Sequence, residues 1–144
     1  MLLQPRTQRE GVHIELHIAS DLPPLSGDPI QLQQVLLNLV SNAMDAMRLI
    51  TGRPKIIVMR AYQLPDNSVL TEIEDSGTGV LDHEKIFEAF FTTKESGMGM
   101  GLSVCKTIVT AHGGRLWAYP AHPFGTVFSF TIPTETTATE NPEQ

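Results

Sequence analysis

Gly27-Asp28-Pro29-Ile30-Gln31-Leu32-Gln33-Gln34-Val35-Leu36-Leu37-Asn38-Leu39-Val40-Ser41-Asn42-Ala43-Met44-Asp45-Ala46-Met47 is the stretch from which the rest of the fold is read. Asp28 is a natural N-cap, Pro29 suits the first helical position, and Gln31 stands where a capping box places Glu or Gln. Leu32, Val35, Leu36, Leu39, Ala43, Met47 and Ile50 recur with a period of about 3.6 residues, so one face of this helix is apolar. The helix is expected to end near Ile50, before Gly52 and Pro54. Away from that face, Asn38, Asn42 and Asp45 fall within about 60° of one another, and Gln34 extends the stripe. Exposed helix positions favour Lys, Glu or Arg, whereas Asn is a poor helix former. A stripe of amides offers neutral oxygen ligands to a hard cation that already carries phosphate oxygens. The same residues also fit a plain wetted face.

On the N-terminal side, Val12, Ile14, Leu16 and Ile18 alternate with His13, Glu15 and His17, the pattern of a half-buried strand. The two histidines lie on its polar face without a third ligand nearby, which favours a solvated face over a metal site. On the C-terminal side, strands are expected over 55–63 and 69–74 around a Pro65-Asp66-Asn67 turn. A short helix over 83–90 and a longer one over 101–111, capped by Gly113-Gly114, come next. Strands over 115–119 and 126–132 then form a hairpin around 120–125. The order β-α-β-β-α-α-β-β implies an α/β two-layer sandwich, a mixed sheet covered on one face by about three helices.

The chain has 144 residues, 41% of them hydrophobic, enough for one domain with a real core. Its 10 Lys+Arg against 16 Asp+Glu give a formal charge of −6. That balance disfavours nucleic acid, whose phosphate backbone wants a basic stripe. The single cysteine, Cys105, excludes a disulfide framework and a cysteine zinc site, and it points to a reducing compartment. Neither a membrane-spanning apolar run nor a signal peptide is read in the sequence. Residues 134–144 lack any apolar period and read as a disordered tail; Glu135, Glu140 and Glu143 place half of the net charge there.

Two glycine-bearing stretches complete the candidate chemistry. Asp75-Ser76-Gly77-Thr78-Gly79 follows a strand. A carboxylate there accepts a hydrogen bond from an exocyclic amine, and adjacent glycines let a flat ring approach the backbone; a simple turn explains the same residues. Gly97-Met98-Gly99-Met100-Gly101-Leu102 precedes a helix whose first N–H groups are free for an anion, or else it is a flexible hinge. It is neither a P-loop nor a dinucleotide fingerprint, because no Gly-Lys-Ser/Thr follows and Leu102 stands at the third glycine. Lys94 lies three residues before these glycines, within reach of a terminal phosphate or simply in solvent. Cys105 falls on the buried face of its helix and reads as packing.

In order and spacing these elements resemble the ATP-binding catalytic domain of bacterial sensor histidine kinases. Gln34 to Ala43 is similar to that family's asparagine box, Asp75 to Gly79 to its first glycine box, and Ile86 to Lys94 to its phenylalanine box. Gly97 to Leu102 resembles the second glycine box and Gly125-Thr126 the final one, so the likeness covers 12–133. Asn42 to Met47 and Ala111 to Trp117 most resemble kinases of the nitrogen-fixation and oxygen-sensing type.

The resemblance implies ATP and Mg2+ as ligands and a Bergerat-type fold. It implies that Asp75 binds the adenine amino group, with Gly77 and Gly79 beside the ring and Thr126 supporting it. Asn42 would hold Mg2+, with Asn38 and Asp45 on the same stripe; Thr93 and Lys94 would approach the phosphates. Gly97, Gly99, Gly101 and Leu102 would offer backbone N–H groups, and 80–98 would form a mobile lid. None of His13, His17, His83, His112 or His122 has the setting of a phosphoacceptor. Residues 1–11 are therefore expected to be the end of a linker from an upstream dimerisation domain that carries the histidine. The expected partners are that domain and, indirectly, a response regulator, with no nucleic acid. The domain is expected to be cytoplasmic and monomeric, and its parent a homodimer. Gyrase- and chaperone-type ATPases share the fold but place Glu one turn before the magnesium-binding Asn; here that residue is Asn38. A non-catalytic nucleotide-binding module and an anti-sigma type serine kinase are the other readings.

Overall fold

A computed structural model describes residues 8–79, 85–87 and 101–135. Its strands are β1 (Val12–Ile18), β2 (Lys55–Gln63), β3 (Ser68–Asp75), β4 (Leu116–Pro120) and β5 (Thr126–Pro133). Its longer helices among the described residues are α1 (Pro29–Met47) and α2 (Gly101–Ala111), with a 3-10 turn at Lys85–Phe87 and a helical stretch at 8–10. The strands form one sheet in the order β1-β2-β3-β5-β4. Only β1 and β2 run parallel, with Val12 opposite Lys55, and α1 is the crossover that a parallel pair requires. The other three pairings are antiparallel.

The α1 N-terminus forms as its residue types dictate. Asp28 is extended, and its Oδ1 accepts from the Ile30 N–H at 2.9 Å and from the Gln31 N–H at 3.4 Å. The reciprocal half of the capping box is supplied from elsewhere: the Asp28 N–H donates to His112 Nε2 at 3.1 Å. His112 Nδ1 lies 2.8 Å from the Ile108 carbonyl, so the ring serves both contacts as the Nδ1–H tautomer. At its other end α1 stops at Met47, three residues before the expected Ile50, because the backbone tightens: the Arg48 N–H bonds to Asp45 O and the Ile50 N–H to Met47 O. The α2 C-terminus closes as the glycines predict, with Gly113 donating to Thr110 O and Gly114 to Val109 O, the two bonds of a Schellman motif.

The core lies between one face of the sheet and the two helices. Val35, Leu39, Val40, Ala43, Met44 and Met47 of α1 meet Ile57, Ile73, Phe128, Phe130 and Ile132 of the sheet and Cys105, Ile108 and Val109 of α2. Phe87 stands edge-on to Phe128, with ring centroids 6.1 Å apart. Burying each such side chain contributes about 1.5–3 kcal/mol before entropy is counted. The opposite face holds a polar cluster. Arg60 donates to Glu72 at 3.0 Å and to Glu74 at 2.9 Å, and Tyr119 and Ser129 hydroxyls donate to Glu72 Oε2 at 2.6 and 3.2 Å.

Three expectations are corrected in detail. The helices cover only the first half of edge strand β1: Val12 and Ile14 pack on the core, but Leu16 is 63% and Ile18 53% exposed. Within 83–90 the described residues make one 3-10 turn, and the remainder of that expected helix lies outside the described residues. Thr134, assigned to the tail, is buried and bridges to Leu25, and the Glu135 N–H donates to Pro24 O, so the fold runs two residues further. Residues 136–144 lie outside those described.

Candidate functional site

Strand β3 ends at Asp75, where the chain leaves the sheet beneath the last turns of α1. The carboxylate is buried at 2% exposure. Its Oδ1 accepts the Gly77 N–H at 2.8 Å, while Oδ2 is buried with no hydrogen-bond partner. Burial pushes this carboxyl up to about 6; the Gly77 and Thr126 N–H groups oppose the shift, and the charge of Glu74 adds to it. A buried carboxylate oxygen without a donor is costly, and it marks a place where a ligand donor gains much by binding.

The corner at Asp75 is closed by main chain. A Cβ on Gly77 would lie 2.5 Å from the Ala46 carbonyl of α1, so only glycine lets the loop press against the helix. Across the corner, Gly125 has φ +107, and a Cβ there would sit 1.9 Å from the Asp75 carbonyl. No other residue combines that backbone with that approach. Thr126 follows, buried at 2%, opposite Pro120 in the β4–β5 hairpin. Gly79 is half-buried and faces the Gly125 carbonyl.

Helix α1 joins this corner to a second set of groups. Asn38, Asn42 and Asp45 are half-buried along it and Gln34 is exposed. The buried Cys105 thiol of α2 donates to the Val35 carbonyl of α1 at 3.9 Å; burial pushes that thiol up and the Asn38 amide pulls it back. Gly101 and Leu102 open α2, both half-buried, with Leu102 packed on the core. The amide stripe and the Asp75 corner thus lie along one helix, and α2 packs against that helix through Cys105. Asn38 and Asn42 present neutral oxygen donors on that face, a set that suits Mg2+ shared with phosphate oxygens. Thr93, Lys94, Gly97 and Gly99 lie outside the described residues. Among the described residues no cluster of three or more His, Cys, Asp or Glu could hold a metal by itself, and no helix is long and apolar enough to cross a membrane.

Sequence reasoning missed Arg53. Its guanidinium donates from Nε and Nη2 to the Ser76 carbonyl at 3.2 and 3.1 Å and from Nη2 to the Gly77 carbonyl at 3.0 Å. It also lies over the Phe124 ring, 3.7 Å from the centroid. An arginine alone between Gly52 and Pro54 has no periodicity that could have signalled this.

Residues 27–136 match the family described as histidine kinase-, DNA gyrase B- and HSP90-like ATPase. The sensor protein FixL of Bradyrhizobium diazoefficiens is 38% identical over 130 residues, covering 89% of this chain and 25% of FixL. The nucleotide-free catalytic domain of histidine kinase ThkA superimposes with a TM-score of 0.81 at 31% identity, over 94% of this chain and 88% of that one. Full-length ShkA in complex with AMPPNP gives a TM-score of 0.79 at 29% identity, over 92% of this chain and 27% of that one. The chain thus spans about a quarter of the length of FixL. It belongs to the histidine kinase-, DNA gyrase B- and HSP90-like ATPase family, and within it is an ATP-binding catalytic domain of the sensor histidine kinase type.

Proposed function

We propose that this domain binds Mg-ATP at the Asp75 corner and presents the γ-phosphate to a histidine on a separate dimerisation domain of its parent protein. The observation that carries the reading is the buried Asp75 carboxylate, its Oδ2 without a hydrogen-bond partner, at a corner closed by Gly77 and Gly125. It would accept from the adenine amino group, while Gly77, Gly79 and Thr126 frame the ring. That ShkA shares this fold and is seen with AMPPNP supports a nucleotide as the occupant.

Asn42, with Asn38 and Asp45 on the same helix, would hold Mg2+ against the phosphates. A bound Mg2+ supplies neutralisation of the charge on the phosphate oxygens. Gly101 and Leu102, at the open end of α2, would donate N–H groups to that charge, with Gly97 and Gly99 ahead of them. Thr93 and Lys94 would approach the terminal phosphate. The domain's contribution is positioning and electrostatics. Asn38 is a carboxamide and takes no proton from water, which favours transfer to a partner imidazole over hydrolysis; neutral imidazole is already a nucleophile near pH 7. The partners in this reading are the phosphoacceptor domain and, through it, a response regulator, in a homodimeric parent whose catalytic domains sit in the cytoplasm.

Titration with Mg-ATP tests the site. Asp75→Asn is expected to weaken binding by about 1.5–3 kcal/mol, the cost of losing a charge-assisted hydrogen bond. Equal affinity in the two proteins would defeat the assignment. Labelled ATP is expected to mark a histidine of an added dimerisation domain, with no stable label on this chain.

A further inference from the structure

We propose that Arg53 is a positioning residue for base recognition, holding the Asp75 carboxylate in its binding geometry through the Ser76–Gly77 peptide. The inference rests on Asp75 being the adenine acceptor and adds a residue to that site. The Ser76 carbonyl and the Gly77 N–H belong to one peptide unit, which is planar, so fixing one end fixes the other. Arg53 grips the oxygen end with two donors at 3.2 and 3.1 Å. Asp75 Oδ1 takes the hydrogen of the opposite end at 2.8 Å. A cation on an amide oxygen polarises the amide and strengthens its N–H as a donor. Arg53 thereby commits Oδ1 to the backbone and leaves Oδ2 for the ligand.

The guanidinium has its own seat. Its third bond, to the Gly77 carbonyl at 3.0 Å, secures the next peptide. Its flat face rests on Phe124, whose neighbour Gly125 packs against the Asp75 backbone. The segment following Asp75 and the hairpin across from it are therefore tied through one side chain. Ser76 completes the attachment: its hydroxyl accepts the Ile56 N–H at 3.1 Å and donates to Pro54 O at 3.0 Å. A planar fork makes three donor contacts and stacks at once; the point charge of lysine does not.

The test titrates the folded chain with ATP and with purine riboside triphosphate, which lacks the amino group. Arg53→Gln, Arg53→Lys, Phe124→Leu and Asp75→Asn are compared with the wild type, each checked by thermal melting. The wild type is expected to prefer ATP by on the order of tenfold, the worth of one well-placed hydrogen bond. Arg53→Gln is expected to weaken ATP about 3- to 10-fold while leaving the analogue within about twofold, so the preference collapses. Arg53→Lys should recover only part of it, and Phe124→Leu should move in the same direction. An unchanged ratio of ATP to analogue affinity in Arg53→Gln overturns the proposal, whether both affinities hold or both fall. Should that variant not fold, unchanged ratios in Arg53→Lys and Phe124→Leu overturn it equally. A wild type without any preference, together with an inert Asp75→Asn, would instead remove the adenine reading itself.

Discussion

Acidification should weaken ATP binding through Asp75, and the structure fixes the size of the effect. The free domain holds this carboxyl at about 6, because burial disfavours its charge more than the Gly77 and Thr126 N–H groups favour it. Because Oδ1 accepts the Gly77 N–H, a proton is taken up on Oδ2 and makes it a donor, so Oδ2 accepts from an amino group when the carboxyl is ionised. The competent fraction is about 0.9 at pH 7 and about 0.1 at pH 5, and apparent affinity scales with that fraction. The dissociation constant is therefore expected to rise roughly tenfold from pH 7 to pH 5, or about 1.4 kcal/mol. ATP carries its own phosphate titration near pH 6, so the quantity to follow is the wild-type to Asp75→Asn affinity ratio at each pH. Calorimetry at pH 6 in buffers of different ionisation enthalpy should also register roughly half a proton more released by the wild type than by Asp75→Asn. The sign for stability is opposite. A folded value raised above the unfolded one means that the ligand-free chain gains stability from this group as pH falls from about 6 towards 4. A wild-type to Asp75→Asn affinity ratio that stays flat from pH 5 to pH 7.5, or affinity that improves on acidification, would refute the reasoning.

Three further outcomes are expected. Asp28→Ala removes the two bonds that cap α1 and should cost about 1 kcal/mol in urea unfolding, with the denaturant slope unchanged. Gly125→Ala places a Cβ into the Asp75 carbonyl at a strained φ; it should lower stability by about 1–3 kcal/mol in the same assay and abolish detectable ATP binding in a titration. Burial disfavours the Glu72 charge, but the Tyr119, Arg60 and Ser129 contacts outweigh it and hold this carboxyl below its usual range. Its stabilisation is present above the unfolded value and is lost as pH falls through that value towards the lower folded one. Acid unfolding below about pH 5 should therefore be steeper in the wild type than in Glu72→Gln, read by circular dichroism.

What was legible in the sequence was local. Asp28-Pro29 announced a helix start because the cap uses neighbours two and three residues away, and Gly113-Gly114 announced a helix stop for the same reason. Asp75 stood out because strand, carboxylate and glycines are contiguous. Contacts made by the fold were not legible. Arg53 reaches Ser76 across 23 residues, and the Asp28 N–H finds His112 across 84. Alternation in β1 correctly gave one apolar face, yet no sequence pattern says that the helices cover only half of it. Thr134 looked like tail because its partner, Leu25, lies at the far end of the chain.

The His112 contact has a mechanical consequence. It joins the last turn of α2 to the first residues of α1, at the end of α2 remote from Gly101. Sliding one helix along the other would break the Asp28–His112 bond, while the bond to Ile108 travels with α2; tilting about that end breaks neither. The histidine is a fulcrum, and α2, with 11 residues, is a lever about 16 Å long. A tilt of about 10° moves its Gly101 end by roughly 3 Å, the length of one hydrogen bond. Phosphate groups seated at that end would turn a small rotation of the helix into contacts made or lost, while the packing nearest His112 moves least.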